Sequence, residues 1–565
     1  MTAAPAPLPP VDETSLAAQA RDTAPLAARA RDLARLADER WDLLIVGGGI
    51  VGVGALLDAA SRGLRVALVE QDDVAAGTSS RSSRLIHGGL RYLQQFEINL
   101  VREALAERAR LLRLAPHLVR LETFLFPLYG PPALTRAFYA AGMTMYDLLG
   151  SRKSGGFHRH LSTAGALEYA PHLRTKGLRG ALAYHDAMED DARFTLAVLR
   201  TALAHAPGSA LAATRVRATA PLHEGAAVIG AVLEDRLTGA VLEARAAAVL
   251  DATGVWGALP DRPFGGGSFS VLPSRGSHLV IPRDRIPARG GMTLRIPGRV
   301  AFLVPWPRHW LIGTTDHPYH GPVDRPPASR EEVDEILGTL NGALDLEISR
   351  DDIVGTYAGL RPLIAPSDAS STVKVSREHK VSVEAPGLVR ISGGKYTTYR
   401  VMARDAVNAT LGDAAPRRPS ATAELPLVGA SARADLDALA ARLGSVGGIG
   451  EEAGRSLVDR HGTEAAAVLE LARARDLARP LADGFPYLEA EVAWAAEHEL
   501  AMTLDDVLSR RIRLAPELRD RGAAIAPRAA AILGAVLGWD AARQAAEVET
   551  YLAGAHREFD VPPAA

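Results

Sequence analysis

Residues 41–92 constrain the fold more than any other stretch of the chain. They open as a short apolar run, 43–46, and pass at once into Gly47-x-Gly49-x-x-Gly52. A helical pattern follows over 50–62 and stops at Gly63, and a second strand pattern, 65–69, ends on Glu70. Strand, glycine turn, helix and strand in that order begin a parallel α/β sheet. Gly47 permits the tight turn, Gly49 lets a pyrophosphate approach the backbone, and Gly52 lets helix pack on strand. The helix N-terminus turns free N–H groups and the positive end of its dipole toward phosphate. Glu70 falls 23 residues after Gly47, where an acid accepts ribose hydroxyls and repels a 2′-phosphate. The stretch is therefore expected to hold the adenosine end of a dinucleotide.

Its second half, 77–92, is a poor helix and a poor strand. It is a loop rich in donors. Thr78, Ser79, Ser83 and His87 lie along a backbone that Gly88 and Gly89 leave open, which suits pyrophosphate oxygens or a flavin ring. Two later stretches return to the same theme. Asp251-Ala252-Thr253-Gly254 closes a buried-type strand over 247–250, and Gly393-Gly394 precede a helical pattern. Gly254, Gly393 and Gly394 are thus further cofactor-binding candidates. Three separated returns to one nucleotide favour FAD over NAD.

The expected fold class is α/β: a Rossmann-like FAD-binding domain of the glutathione-reductase/D-amino-acid-oxidase type, an interleaved antiparallel-sheet substrate domain, and an all-α C-terminal cap. With 565 residues, several domains are expected. Residues 1–40 read as a loose N-terminus and a short helix from Pro25 to about Glu39. Residues 41–415 hold the FAD-binding and substrate domains, 416–430 a linker, and 431–565 the helical cap. A helix is expected over 96–114 with Ile98, Val101, Leu105 and Leu112 facing the core. The apolar stretch 124–149 is read as core. Asp190, Asp191 and Arg193 are expected to cap a helix over 194–206.

Composition removes whole classes of function. There is no cysteine, so disulfides, thiol nucleophiles and Cys-held metals are excluded, and no metal is expected. A formal net charge of −2 suggests no nucleic acid partner. No run reaches the ~18 apolar residues of a membrane span. The N-terminus lacks the basic-then-apolar order of a signal peptide. A cytoplasmic protein is expected, or one peripheral on the inner face of a membrane.

At 77–93, GTSSRSSRLIHGGLRYL closely resembles the loop of the FAD-dependent glycerol-3-phosphate dehydrogenases of the respiratory, quinone-linked type. Other pieces agree in order: DDARFTLAVL (190–199), ATGVWG (252–257), RGSHLVIP (275–282), IGTTD (312–316), SRDDIVGTYAGLRPL (349–363), GGKYTTYR (393–400) and EHELAMTLDDVLSRR (497–511). The resemblance implies that sn-glycerol 3-phosphate is oxidised to dihydroxyacetone phosphate. Hydride would pass from C2 to flavin N5, and electrons onward to a membrane quinone at the inner leaflet. It matches Arg361 and Arg377 to the phosphate-binding arginines and Lys395 to the active-site lysine near the flavin. It matches Arg91 and Tyr92 to substrate-contacting positions. Arginine suits bidentate phosphate contact, and a cation near the ring stabilises developing negative charge. Removing the C2 hydroxyl proton needs a base, for which His87 and His278 are both candidates. A homodimer is left open.

The sequence departs from the family pattern at three places. Val51 stands where a polar residue is common, Arg84 where Lys is usual, and His379 where an aromatic is common. Competing expectations are an oxidase that uses O2, an oxidase of another hydroxy acid or amine, and a non-catalytic flavoprotein.

Overall fold

The computed structural model describes residues 25–89, 97–130, 132–150, 156–265, 267–296, 299–365 and 378–564. Its organising layer is a sheet of eight strands. The order along its main path is His379–Ala385, Leu388–Gly393, Val241–Asp251, Arg40–Val46, Val66–Glu70, Ala210–Thr214. Arg40–Val46 pairs in parallel with both Val66–Glu70 and Val241–Asp251. Leu43, Leu44, Ile45, Val66, Ala67, Leu68 and Val69 are buried without alternation, as expected of strands covered on both faces. The register sets Val46 beside Asp251 and Glu70 beside Thr214, so the glycine turn, the acid and the second glycine turn share one edge of the sheet.

Helix Ile50–Ser61 leaves that edge and packs against helices Asp191–His205 and Tyr399–Leu411. Asp190 caps helix Asp191–His205, its carboxylate accepting from the Arg193 N–H at 3.2 Å. Helix Ile98–Leu114 buries Val101 and Leu105 against Tyr146. Ile98, expected on that face, is instead 39% exposed: it is the first helical residue, and packing begins only at Val101. The apolar stretch divides into strand Val119–Tyr129 and helix Pro132–Leu149.

A second sheet has ten strands. Its longest path joins His317–Pro318, Ser270–Pro282, His309–Gly313, Arg299–Pro305, Gly291–Ile296, Val119–Tyr129, Leu178–Glu189 and Leu85–Ile86, with Gly355–Ala365 antiparallel to Ser270–Pro282. The pairing is mostly antiparallel.

The N-terminal helix Pro25–Asp38 docks on the first sheet through Leu36 and through Arg29, which reaches Asp235 Oδ1 at 2.6 Å. Residues 416–430 run as a fitted strap. Leu427 N–H donates to Leu114 O and Val428 N–H to Thr201 Oγ1, both at 2.9 Å. From 433 onward the chain is helical, and its core merges with the second sheet at Phe124, Tyr184, Trp306 and Tyr357. Among the described residues no helix is long and apolar enough to cross a membrane.

Candidate active site

A cavity of about 830 Å³ is lined from both sheets, and the glycine turns open onto it. At the nucleotide end Gly47 has φ +114, and a Cβ there would stand 2.6 Å from Ala252 O. A Cβ on Gly52 would stand 1.9 Å from Gly47 O, so helix and turn meet only because Gly52 carries no side chain. Gly49 caps the helix in extended conformation, and the Ile50 N–H at the helix start donates to Ser79 Oγ at 2.9 Å.

Glu70 is held at the rim of this turn. Its Oε2 accepts from Gly48 N–H at 2.6 Å and its Oε1 from Asp72 N–H at 2.8 Å. Burial pushes its carboxyl up to about 7, with Asp73 acting in the same direction and the Gly48 N–H, Arg215 and Arg510 opposing. Gly254, at φ +58, has open space where a Cβ would point and lines the same cavity. Gly393 and Gly394 are both left-handed, at φ +79 and +80, and deliver Lys395 to the cavity ahead of helix Tyr399–Leu411.

The other end is built from charged and aromatic groups. The Arg361 guanidinium lies over Gly276, where a Cβ would come within 2.5 Å of it. It donates to Thr315 O at 3.1 Å and Thr314 Oγ1 at 3.0 Å, and pairs with Asp316 at 3.4 Å. His278 Nε2 lies 2.8 Å from Ser83 Oγ, and its ring stacks on Tyr357 at 4.6 Å. Burial, then Arg361 and Arg84, pull its pKa down to about 3, so the imidazole is neutral. The His87 ring meets Phe302 edge-on at 5.9 Å, and the His87 backbone N–H donates to Thr397 Oγ1 at 3.2 Å.

The chain matches the family described as FAD dependent oxidoreductase over residues 42–400, and the C-terminal domain of alpha-glycerophosphate oxidase over 420–544. It is 45% identical over 528 residues to glycerol-3-phosphate dehydrogenase 2 of Mycobacterium tuberculosis, covering 92% of this chain and 89% of the relative. The chain belongs to the FAD-dependent glycerol-3-phosphate dehydrogenase family. The mitochondrial glycerol-3-phosphate dehydrogenase of Homo sapiens is 35% identical over 534 residues, covering 90% of this chain and 72% of its own. A glycerol-3-phosphate dehydrogenase from Bacillus halodurans, solved with FAD, superposes with TM-score 0.75 at 27% identity, covering 94% of this chain and 97% of that one.

The cofactor of this glycerol-3-phosphate dehydrogenase family member is FAD, and the cavity fits it. Gly47, Gly49, Gly254 and Glu70 all line it, and at Gly254 a side chain would project into open space. Among the sequence candidates, Gly47, Gly49, Glu70, Thr78, Ser79, Ser83, His87, Gly254, His278, Arg361, Gly393, Gly394 and Lys395 all line the one cavity. Gly52 does not; it acts through packing. Arg91, Tyr92 and Arg377 lie outside the described residues.

Thr78 Oγ1 donates to Leu360 O at 2.6 Å, which ties the loop to the second sheet. Ser79 accepts from the helix start and Ser83 faces His278. These short hydroxyls fix the loop before they touch any ligand. Of the departures from family pattern, Val51 lines the cavity without a polar group. Arg84 takes φ +54 and stacks over Trp306 at 3.9 Å, while His379 pairs with Asp405 at 3.1 Å.

Sequence reasoning missed Asp316, Tyr357 and Phe302. Asp316 and Tyr357 sit in the stretches IGTTD and GTYAG, whose similarity to the family was visible but carried no assigned role. Phe302 had no local signal, because its place beside His87 depends on the pairing of its hairpin, 291–305, with the distant strand Val119–Tyr129.

Proposed function

We propose that the protein oxidises sn-glycerol 3-phosphate at C2 to dihydroxyacetone phosphate and passes the electrons to a membrane quinone. The observation that carries the reading is the placement of Arg361, Lys395, His87 and His278 in the cavity that also holds the dinucleotide turn. The high identity to relatives that bear the glycerol-3-phosphate dehydrogenase name supports the same substrate.

When bound, FAD supplies a two-electron acceptor. Arg361 presents its fork to the dianionic phosphate, its direction fixed by Thr314, Thr315 and Asp316. Lys395 brings a cation to the same cavity, where it offsets negative charge that develops during oxidation. His87 and His278 are the candidate acceptors of the C2 hydroxyl proton. His278 rests neutral, and a phosphate on Arg361 would cancel one of the cations that depress its pKa. A quinone acceptor places the protein at the inner face of the cell membrane.

Steady-state assays with phosphorylated and unphosphorylated alcohols, hydroxy acids and amines test the substrate. Turnover confined to glycerol 3-phosphate is expected, and turnover of a hydroxy acid or amine instead would overturn the reading. A soluble quinone should accept the electrons. Stoichiometric hydrogen peroxide from O2, with no acceleration by quinone, would make the protein an oxidase.

A further inference from the structure

The stretch 497–511 resembles the family yet places no side chain in the cavity. It is instead dense with buried ion pairs, and these reach across the chain to the cavity's walls. Arg510 Nε and Arg511 Nη1 donate to Asp73 Oδ2 at 2.6 and 2.7 Å, and Arg511 Nη2 donates to Asp73 Oδ1 at 2.8 Å. Asp73 is 1% exposed and lies three residues after Glu70. The short loop it anchors leans on the glycine turn, with Ala75 N–H donating to Gly48 O at 3.1 Å.

Two further ties run from the same place. Arg215 joins Asp72 to Asp506, reaching Asp506 Oδ1 at 2.6 Å, and its neighbour Val216 lines the cavity. Arg513 donates to Ser80 O at 2.9 Å and to Asp190 Oδ1 at 3.0 Å, and also pairs with Asp191. Two wall segments, 72–80 and 215–216, and the helix start at 190–191 are therefore gripped by 506–513.

Burying so many charges is not the route to maximal stability, because desolvation cancels much of the attraction and apolar packing does as well. What a chelated guanidinium adds is direction. Its planar fork fixes the angle as well as the distance of the carboxylate it holds. The same cations also bear on the ribose acid: Arg215 and Arg510 oppose the effect of burial on Glu70.

We propose that residues 506–513 act as a positioning clamp for FAD, holding the loop after Glu70 in its binding conformation through Asp73 without touching the cofactor. The proposal rests on the cofactor alone and stands whichever alcohol is oxidised.

The test uses the full chain, stripped of FAD and titrated with FAD by flavin fluorescence, alongside thermal unfolding of the FAD-free protein. Asp73→Asn and Arg511→Met should each raise the FAD Kd at least about tenfold. Glu491→Gln breaks the buried Arg460–Glu491 pair of the same helical region, and Glu491 lines no part of the cavity. It should lower the melting temperature while leaving the FAD Kd unchanged. Lowered melting temperatures with unaltered FAD Kd in Asp73→Asn and Arg511→Met would overturn the clamp, as would equal FAD loss in Glu491→Gln. If the neutral variants do not fold, Arg511→Lys decides: it keeps the cation but cannot chelate both oxygens. A Kd raised at least about threefold supports the clamp, and an unchanged Kd overturns it.

Discussion

Ser83 Oγ lies 2.8 Å from His278 Nε2, and the two residues are 195 positions apart in the chain. The other ring nitrogen, Nδ1, is buried with no hydrogen-bond partner among the described residues. An orphaned N–H is rarer in proteins than an orphaned acceptor. The resting proton of the neutral ring is therefore assigned to Nε2, donated to Ser83. Tyr357 stacks flat beneath and its O–H donates to Ser82 O at 3.0 Å, so ring and loop are held by one aromatic residue.

Removing that hydroxyl leaves the Nε2 proton unsatisfied, a cost of about 1–3 kcal/mol. Ser83→Ala should lower the rate of flavin reduction about tenfold or more while FAD content stays at wild-type level. Stopped-flow reduction and the visible spectrum read the two effects apart. Loss of FAD with no change in the rate of the loaded enzyme would assign Ser83 to the cofactor instead. His278 is already neutral above about pH 3, so the free enzyme's kcat/KM should show no acid limb near pH 6 that disappears in His278→Asn.

Glu70 gives a prediction with a definite sign. Its folded pKa, about 7, is above its ordinary value of 4.5. The folded, FAD-free protein therefore binds the Glu70 proton more tightly than the unfolded chain does. The resulting stability is fully present below about pH 4.5 and is lost as pH rises through 7. FAD-free Glu70→Gln should match wild type near pH 5 and be more stable above pH 7, by on the order of 1–3 kcal/mol. Thermal or urea unfolding across that range checks it. Its FAD affinity should nonetheless fall, because an amide offers the ribose hydroxyls one acceptor oxygen in place of two.

Arg361→Ala should raise the KM for glycerol 3-phosphate about a hundredfold, the loss of a charge-assisted phosphate contact, with FAD content unchanged. Arg361→Lys should recover only part, since an ammonium cannot replace the fork braced by Thr314 and Thr315. Substrate titrations against FAD-to-protein ratio separate the two readouts. An equal loss of flavin in Arg361→Ala would show that Arg361 supports the fold and not the phosphate.

Gly52→Ala adds one methyl group where Gly47 O leaves 1.9 Å. Helix or turn must move, at a cost of about 1–3 kcal/mol from overpacking, and the phosphate cradle moves with it. The variant should purify with little FAD and a lowered melting temperature. Full FAD occupancy would contradict the packing role given to Gly52.

What the sequence made legible was local. The glycine turn, its helix and the acid that ends the second strand lie within a span whose spacing alone implies the geometry. The two later glycine turns were readable for the same reason: Gly254 and Gly393–Gly394 each stand where a strand gives way to a helical turn. The uses of side chains were less legible. Thr78 lies in a donor-rich loop, and only the approach of strand Gly355–Ala365 shows that its hydroxyl also meets Leu360 O. The grip of Arg511 on Asp73 spans 438 positions and has no periodic signature. Ile98 fitted the apolar stripe of its helix, but periodicity carries no information on where the packing surface ends.

The central claim is that one cavity brings this alcohol phosphate to bound FAD. The most direct measurement is an anaerobic titration of the FAD-loaded protein with sn-glycerol 3-phosphate, following the flavin's visible absorbance with no electron acceptor present. Bleaching by sn-glycerol 3-phosphate, with dihydroxyacetone phosphate formed in equal amount and no bleaching by glycerol, is the expected result. A flavin that stays oxidised with sn-glycerol 3-phosphate, or that is bleached equally well by glycerol, would contradict it.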